Sequence, residues 1–372
     1  MMKATRIIIS GGGTGGHIFP AISIANALRR IMPGCEILFV GATGRMEMEK
    51  VPAAGYKIVG LNISGIQRGA VIKNLGLPFK VIGSLTGALK LIRDFKPDIA
   101  VGVGGYASGP LLFAASLKGI PYLIQEQNSY AGLTNKWLGR KAAKICVAFD
   151  NMEQFFPAAK LIKTGNPVRK EVVDIAGKRD TAIQFFDLDP LKRTILVTGG
   201  SLGAGTINKS VERHLDLLIG ADVQLIWQTG KFYYRGIVER LGQHFHPNIK
   251  VLEFLNRMDM AYAASDVVIS RAGASTIAEL CLIKKPVILV PSPNVAEDHQ
   301  TKNALALVKN DAALLIADYS ALDILVNEAL GLLRNESKML LFSENIGKMG
   351  QADADMTIAE QVLGLASERG EE

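Results

Sequence analysis

Two glycine-rich segments and one histidine are the residues of this chain best suited to chemistry. The first segment, Gly11-Gly-Gly-Thr-Gly-Gly-His17, follows the apolar run Arg6–Ser10. The second, Gly199-Gly-Ser-Leu-Gly-Ala-Gly205, follows Thr194–Thr198. Glycine lets backbone amides come close to an anion, and the positive end of a following helix adds to the attraction. Each segment therefore reads as a strand, a phosphate-sized turn and a helix. A third candidate is Arg271-Ala-Gly-Ala-Ser-Thr276, after the strand-like Asp266–Ser270. There Gly273 permits close backbone approach, and amides near Ser275 and Thr276 suit a pyrophosphate. Glu279, expected in the first turn of the next helix, can accept hydrogen bonds from a ribose diol. On spacing alone it also fits an ordinary helix-dipole carboxylate.

Other chemistries share parts of this pattern and fail elsewhere. Gly11, Gly13 and Gly16 satisfy the dinucleotide fingerprint, which also wants an acid at the end of the next strand. Here that strand ends Phe39-Val40-Gly41-Ala42-Thr43, and its counterpart after the second loop ends Trp227-Gln228-Thr229-Gly230. Neither supplies the acid. Gly199-Gly-Ser201-Leu-Gly203 fits a nucleophile elbow, but Asp298 and His299 are adjacent, whereas a triad draws its acid and base from separate loops. Asp187-x-Asp189 and Asp353-x-Asp355 look like metal-binding pairs, yet they fall in linker and tail sequence and read as solvated acids. No metal is expected.

The elements that must position these residues alternate regularly. Strands are expected at Arg6–Ser10, Glu36–Val40, Ile99–Val103, Tyr122–Gln125 and Ile145–Ala148, with helical patterns between several of them. This predicts a parallel sheet covered on both faces. Thr164-Gly-Asn-Pro-Val-Arg169 looks like the exit from that domain, and the polar stretch Lys170–Arg193 leads to a second one. Its strands are expected at Thr194–Thr198, Val223–Gln228, Val251–Phe254, Asp266–Ser270 and Pro286–Pro291. The predicted fold is α/β, with two doubly wound Rossmann-like domains, 1–168 and 169–346, facing across a cleft. A helical tail, 347–372, is expected to pack back on one of them.

Composition narrows the partners. The chain carries 42 basic and 35 acidic residues, a net charge of +7, which favours anionic partners. No dense basic block with interleaved aromatics points to nucleic acid. Cys35, Cys146 and Cys281 match no metal spacing and read as buried thiols of a cytosolic protein. The chain enters its first strand almost at once, so no secretory signal is expected. The long uncharged run Ile99–Leu117 holds Gly102, Gly104, Gly105, Gly109 and Pro110, which suits strand, loop and helix better than a membrane span. From Lys50 to Arg93 there are seven basic residues and no acid, among Ile66, Val71, Ile72, Leu75, Leu77, Phe79, Val81, Ile82 and Leu85. That mixture suits either a surface resting on anionic lipid, with Lys73 and Lys80 among its contacts, or a core helix with a solvated basic face.

The motifs GGGTGGHIFP (Gly11–Pro20), GGYASGP (Gly104–Pro110), Gln125–Asn128 with Gly132-Leu-Thr-Asn135, TGNPVR (Thr164–Arg169), GGSLGA (Gly199–Ala204) and Ala272–Glu279 run in order along the whole chain. In this they resemble the MurG family of N-acetylglucosamine transferases. The resemblance implies a two-domain GT-B fold, with the donor nucleotide in the C-terminal domain and the acceptor in the N-terminal one. It implies inverting transfer of N-acetylglucosamine from UDP-GlcNAc to the C4 hydroxyl of undecaprenyl-pyrophosphoryl-N-acetylmuramyl pentapeptide, in peptidoglycan synthesis. The enzyme would need no cofactor and would sit peripherally on the cytoplasmic face of the inner membrane. Residue by residue, Ser201 and the amides of Ala274, Ser275 and Thr276 would contact pyrophosphate, and Glu279 the ribose. Backbone groups at Leu255 would read uracil, and Gln300, or its neighbour His299, the sugar hydroxyls. Asn128, Arg169 and the loop Thr14, Gly15 and Gly16 would close from the opposite domain. His17, at a helix start that favours neutral imidazole, is the preferred base. It is equally suited to bracing the loop or binding acceptor pyrophosphate, and Glu126 and Tyr106 are rivals for the base. A UDP-sugar 2-epimerase and a non-catalytic binder of lipid precursors are the alternative readings.

Overall fold

The computed structural model describes residues 4–63, 77–242 and 246–370. They form two compact units, one of Met1–Val168 with Asp353–Glu372 and one of Arg169–Ala352. The first unit contains β1 (Arg6–Gly11), β2 (Glu36–Ala42), β3 (Lys57–Leu61), β4 (Ile99–Gly104), β5 (Tyr122–Glu126), β6 (Lys144–Val147) and β7 (Leu161–Lys163). These strands make one parallel sheet in the order β3-β2-β1-β4-β5-β6-β7. Successive residues of a strand face opposite sides, and β1 shows it. Ile7 and Ile9 enter the core beneath helix Gly15–Ile31, while Ile8 enters the core under helices Leu77–Phe95 and Ser108–Leu117. All three isoleucines are fully buried, as a strand covered on both faces requires. Helix Ala354–Gly370 packs on helix Gly15–Ile31 and brings Ile358, Ala359 and Val362 into the same core.

The second unit repeats the plan. Strands β8 (Thr194–Thr198), β9 (Gln224–Gln228), β10 (Ile249–Leu252), β11 (Val267–Ser270), β12 (Val287–Leu289) and β13 (Leu314–Leu315) form a parallel sheet in the order β10-β9-β8-β11-β12-β13. Helices Gly205–Arg213 and Asp318–Arg334 cover one face, with Ile207, Val211, Leu325 and Val326 against Ile195 and Val197. In each sheet the strand order reverses beside the first strand, between β1 and β4 and between β8 and β11. Connections leave in opposite directions at such a point, which opens a crevice at the carboxyl ends of the strands.

The expected strands occur with shifts of a few residues at most, and three short ones were not expected. Strands β3 and β7 lie at the sheet edges and β13 pairs through two residues, so none carries a buried apolar run long enough to stand out. The uncharged run Ile99–Leu117 divides into β4, a loop and helix Ser108–Leu117. No helix among the described residues is long and apolar enough to cross a membrane. Of the apolar and basic stretch, Ile66, Val71, Ile72, Lys73 and Leu75 lie outside the described residues, as do the side chains of Leu77, Phe79 and Lys80. All three cysteines are buried thiols.

Candidate active site

In the first unit the crevice between β1 and β4 is occupied by the first glycine loop. Gly13 adopts φ +82, a left-handed conformation open to glycine, and Thr14 is the extended residue before helix Gly15–Ile31. Gly15, Gly16 and His17 are its first residues, and amides at this position have no carbonyl four residues back to bond. His17 Nδ1 lies 3.0 Å from the Gly12 carbonyl oxygen and 3.4 Å from the Thr14 hydroxyl. The ring rests against Gly104, φ +105, where any side chain would overlap it. Tyr106, half exposed, lies near Gly13 with the Arg45 guanidinium 5.8 Å from its ring centre.

Glu126 ends β5 and is buried. Its carboxylate accepts from the Asn128 amide at 3.1 Å, the Asn128 side chain at 3.3 Å, the Gly132 amide at 3.2 Å and Asn135 Nδ2 at 2.8 Å. Burial pushes its pKa up, and these donors oppose the rise by favouring the charged form. Both oxygens are engaged in holding the loop that carries Asn128. The geometry gives Glu126 the task of bracing that loop.

In the second unit the glycine loop at Gly199–Gly205 sits at the end of β8. Gly200 and Gly203 have φ +80 and +84, and Gly203 lies so close to the Thr229 carbonyl that a Cβ would collide with it. Gln228 donates to the Gly200 carbonyl at 3.0 Å and is itself bonded to Thr198, which ties the loop to the strand ends. Ser201 is exposed at the loop tip. Across the reversal point, helix Ala274–Ile283 follows an extended Gly273, so Ala274, Ser275 and Thr276 supply its first amides. The Ser275 hydroxyl oxygen is buried and has no hydrogen-bond partner among the described residues.

Glu279 falls in the second turn of this helix, not the first, because the helix starts at once after Gly273. The Tyr262 hydroxyl donates to its Oε2 at 3.0 Å, and Arg169 Nη2 lies 3.9 Å from its Oε1. Burial pushes the Glu279 carboxyl up, with Arg169 and the Tyr262 hydrogen bond pulling it back. Arg169 was expected to come from the opposite domain. It belongs instead to the second unit, where it meets Glu279. The Leu255 side chain is buried, which leaves its backbone as the part able to meet a ligand. Gln300 accepts from the Ser292 amide at 2.8 Å through Oε1, at the start of helix His299–Val308.

Glu47 and Tyr262, which sequence patterns did not single out, and Arg271, which opens the third candidate segment, hold these loops. Glu47, 1% exposed, accepts from the Gly13 amide at 2.9 Å and the Ala42 amide at 3.0 Å. Tyr262 is fully buried beneath Glu279. Arg271 donates to the Val290 and Pro291 carbonyls at 3.0 Å and pairs with Asp318 at 2.5 Å. Most of their partners lie 17 to 47 residues away in sequence, the Ala42 amide being five residues from Glu47, and no local spacing marks such contacts. Among the described residues no group of His, Cys, Asp or Glu is placed to hold a metal ion.

A phosphate-sized loop at the reversal point of each of two parallel sheets, with a carboxylate beside the second, places the protein in the GT-B class of glycosyltransferases. Residues 7–147 match the glycosyltransferase family 28 N-terminal domain and residues 194–358 the corresponding C-terminal domain. A Parabacteroides distasonis protein is 55% identical over 99% of this chain and 100% of its own length. It bears the name UDP-N-acetylglucosamine--N-acetylmuramyl-(pentapeptide) pyrophosphoryl-undecaprenol N-acetylglucosamine transferase. The crystal structure of Acinetobacter baumannii MurG matches with a TM-score of 0.78 at 29% identity, covering 97% of this chain and 99% of that one. The chain belongs to the MurG family. A UDP-GlcNAc 2-epimerase from Neisseria meningitidis bound to UDP-GlcNAc matches with a TM-score of 0.67 at 16% identity, covering 97% of this chain and 100% of that one, and shares the fold alone.

Proposed function

We infer that the protein transfers N-acetylglucosamine from UDP-GlcNAc to the C4 hydroxyl of undecaprenyl-pyrophosphoryl-N-acetylmuramyl pentapeptide, the step from lipid I to lipid II in peptidoglycan synthesis. The observation that carries this reading is whole-length identity to transferases of that name, with both glycine loops intact at their strand ends. The second unit is the donor side. Amides of Ala274–Thr276, the Ser275 hydroxyl and Ser201 hold the pyrophosphate, Glu279 the ribose, the Leu255 backbone the uracil and Gln300 the sugar. Fixed dipoles of this kind stabilise departing UDP without reorganising. Arg169, already beside Glu279, adds positive charge there.

The first unit is the acceptor side, and Thr14, Gly15, Gly16 and Asn128 are read as its contacts to the donor. Direct displacement inverts the anomeric carbon and needs a base for the acceptor hydroxyl. His17 takes that role, since Glu126 spends both oxygens on its own loop. Tyr106, near Gly13 in the same unit, is the remaining rival for that role. Incubation with labelled UDP-GlcNAc and lipid-linked muramyl pentapeptide, chelator present, tests the reading. Label should enter lipid with release of UDP, and His17→Ala should lower turnover about 100-fold or more. Loss of UDP-GlcNAc without acceptor would instead favour the epimerase reading.

Contact with an anionic membrane surface is supported by the first unit. Ile82, Leu117, Leu133 and Trp137 are 57–71% exposed on helices Leu77–Phe95, Ser108–Leu117 and Leu133–Gly139, which pack side by side. Lys90, Arg93, Lys96, Lys118 and Arg369 line an open groove of about 1110 Å³ in the same unit. Apolar side chains with nearby cations suit peripheral binding at the cytoplasmic face. Ile82→Glu with Lys118→Glu should weaken binding to anionic vesicles, and unchanged binding would remove this surface.

A further inference from the structure

The structure assigns Glu47 as the residue that positions His17, through a single peptide group. Helix Glu47–Ala53 opens with this residue, and its carboxylate is buried between the ends of β1 and β2. Room for it is made on both sides by glycine, because a Cβ at either Gly12 or Gly41 would overlap the Glu47 side chain. The carboxylate grips the Gly13 N–H at 2.9 Å with one oxygen and the Ala42 N–H at 3.0 Å with the other. The Gly13 N–H and the Gly12 carbonyl belong to the same planar trans peptide, so they point to opposite sides. Holding the N–H on Glu47 therefore turns the carbonyl toward His17, whose Nδ1 lies 3.0 Å from it.

A carbonyl oxygen only accepts, so the neutral imidazole bonded to it carries its proton on Nδ1 and its lone pair on Nε2. Glu47 thus selects the tautomer in which Nε2 is the basic nitrogen. The Gly12 amide adds a second hold on the same loop by donating to the Gly104 carbonyl at 3.2 Å. Glutamine at position 47 offers a single acceptor oxygen and an N–H₂ group that cannot accept, so one of the two backbone amides loses its partner. The catalytic part of this assignment rests on the reading of His17 as the base, while the geometric part does not.

Glu47→Gln tests both parts, with folding checked by circular dichroism. The wild type labelled with ¹⁵N-histidine, with His17 assigned through His17→Gln, should show the Nδ1-protonated tautomer. The variant should show a mixture of tautomers. Turnover should fall about 100-fold, the scale expected for a misplaced reacting group, with KM for UDP-GlcNAc changed less than about twofold. If Glu47→Gln does not fold, Gly12→Ala presses on the same carboxylate from the opposite side and takes the same measurements. An unchanged tautomer in the folded variant would overturn the assignment. A changed tautomer with full turnover would uphold the positioning and dismiss His17 as the base.

Discussion

The buried carboxylate proposed to meet the donor ribose shows how one side chain tunes another. Burial raises the Glu279 pKa, and the Tyr262 hydroxyl lowers it by favouring the charged form. A ribose diol donates to carboxylate oxygens, so affinity for UDP-GlcNAc should fall as pH drops through the Glu279 pKa. Tyr262→Phe removes the stabilising hydrogen bond, moves that pKa further up and should bring on the fall at higher pH. Calorimetric titration of UDP-GlcNAc from about pH 5 to 8 would show the displacement, and the two proteins should converge at the alkaline end. Individual site residues were legible to different depths. Glycines, Ser201, Ser275 and Glu279 stand out because strand, turn and helix leave a local signature. Glu47 and Tyr262 do not, because their tasks are defined by partners 34 and 17 residues away. The acid sought at the end of the second strand for a dinucleotide comes a few residues later and bonds the loop backbone itself.

Among the elements, the glycine loops separate two uses of glycine that look alike in sequence. Gly203 is needed by the fold: its φ of +84 and its approach to Thr229 leave no room for a side chain. Gly203→Ala should lose about 1–3 kcal/mol of stability, read as a lower unfolding temperature, and UDP affinity with it. Gly273 has φ −69, and an added methyl would meet, among the described residues, only the Thr276 hydroxyl at 3.8 Å. Gly273→Ala should therefore keep the unfolding temperature while weakening UDP-GlcNAc binding, because the methyl would take space at the proposed pyrophosphate contacts. Strand runs were equally plain where they are buried on both faces, as at Ile7–Ile9. Edge strands β3 and β7 escaped because a half-covered strand needs fewer apolar residues.

On the scale of the whole molecule, the second unit is inserted into the first. The chain leaves the first sheet after β7, completes the second unit and returns at helix Ala354–Gly370. A helical tail packing back was expected from sequence, but its partners were not, because helix Gly15–Ile31, against which it mainly packs, lies more than three hundred residues earlier. Ile358→Ala should cost about 2–5 kcal/mol, the range for a buried large-to-small change, seen as a lower unfolding midpoint in denaturant. During synthesis β1 and its glycine loop leave the ribosome before the second unit, yet the helix that covers their core emerges after it. For most of translation the apolar stripe of Ile18, Ile24 and Leu28 has no Ile358 or Val362 to meet, so the half made first is finished last. Over that interval the stripe stays open, so a chain cut short before Ala354 should be digested by protease faster than the full chain.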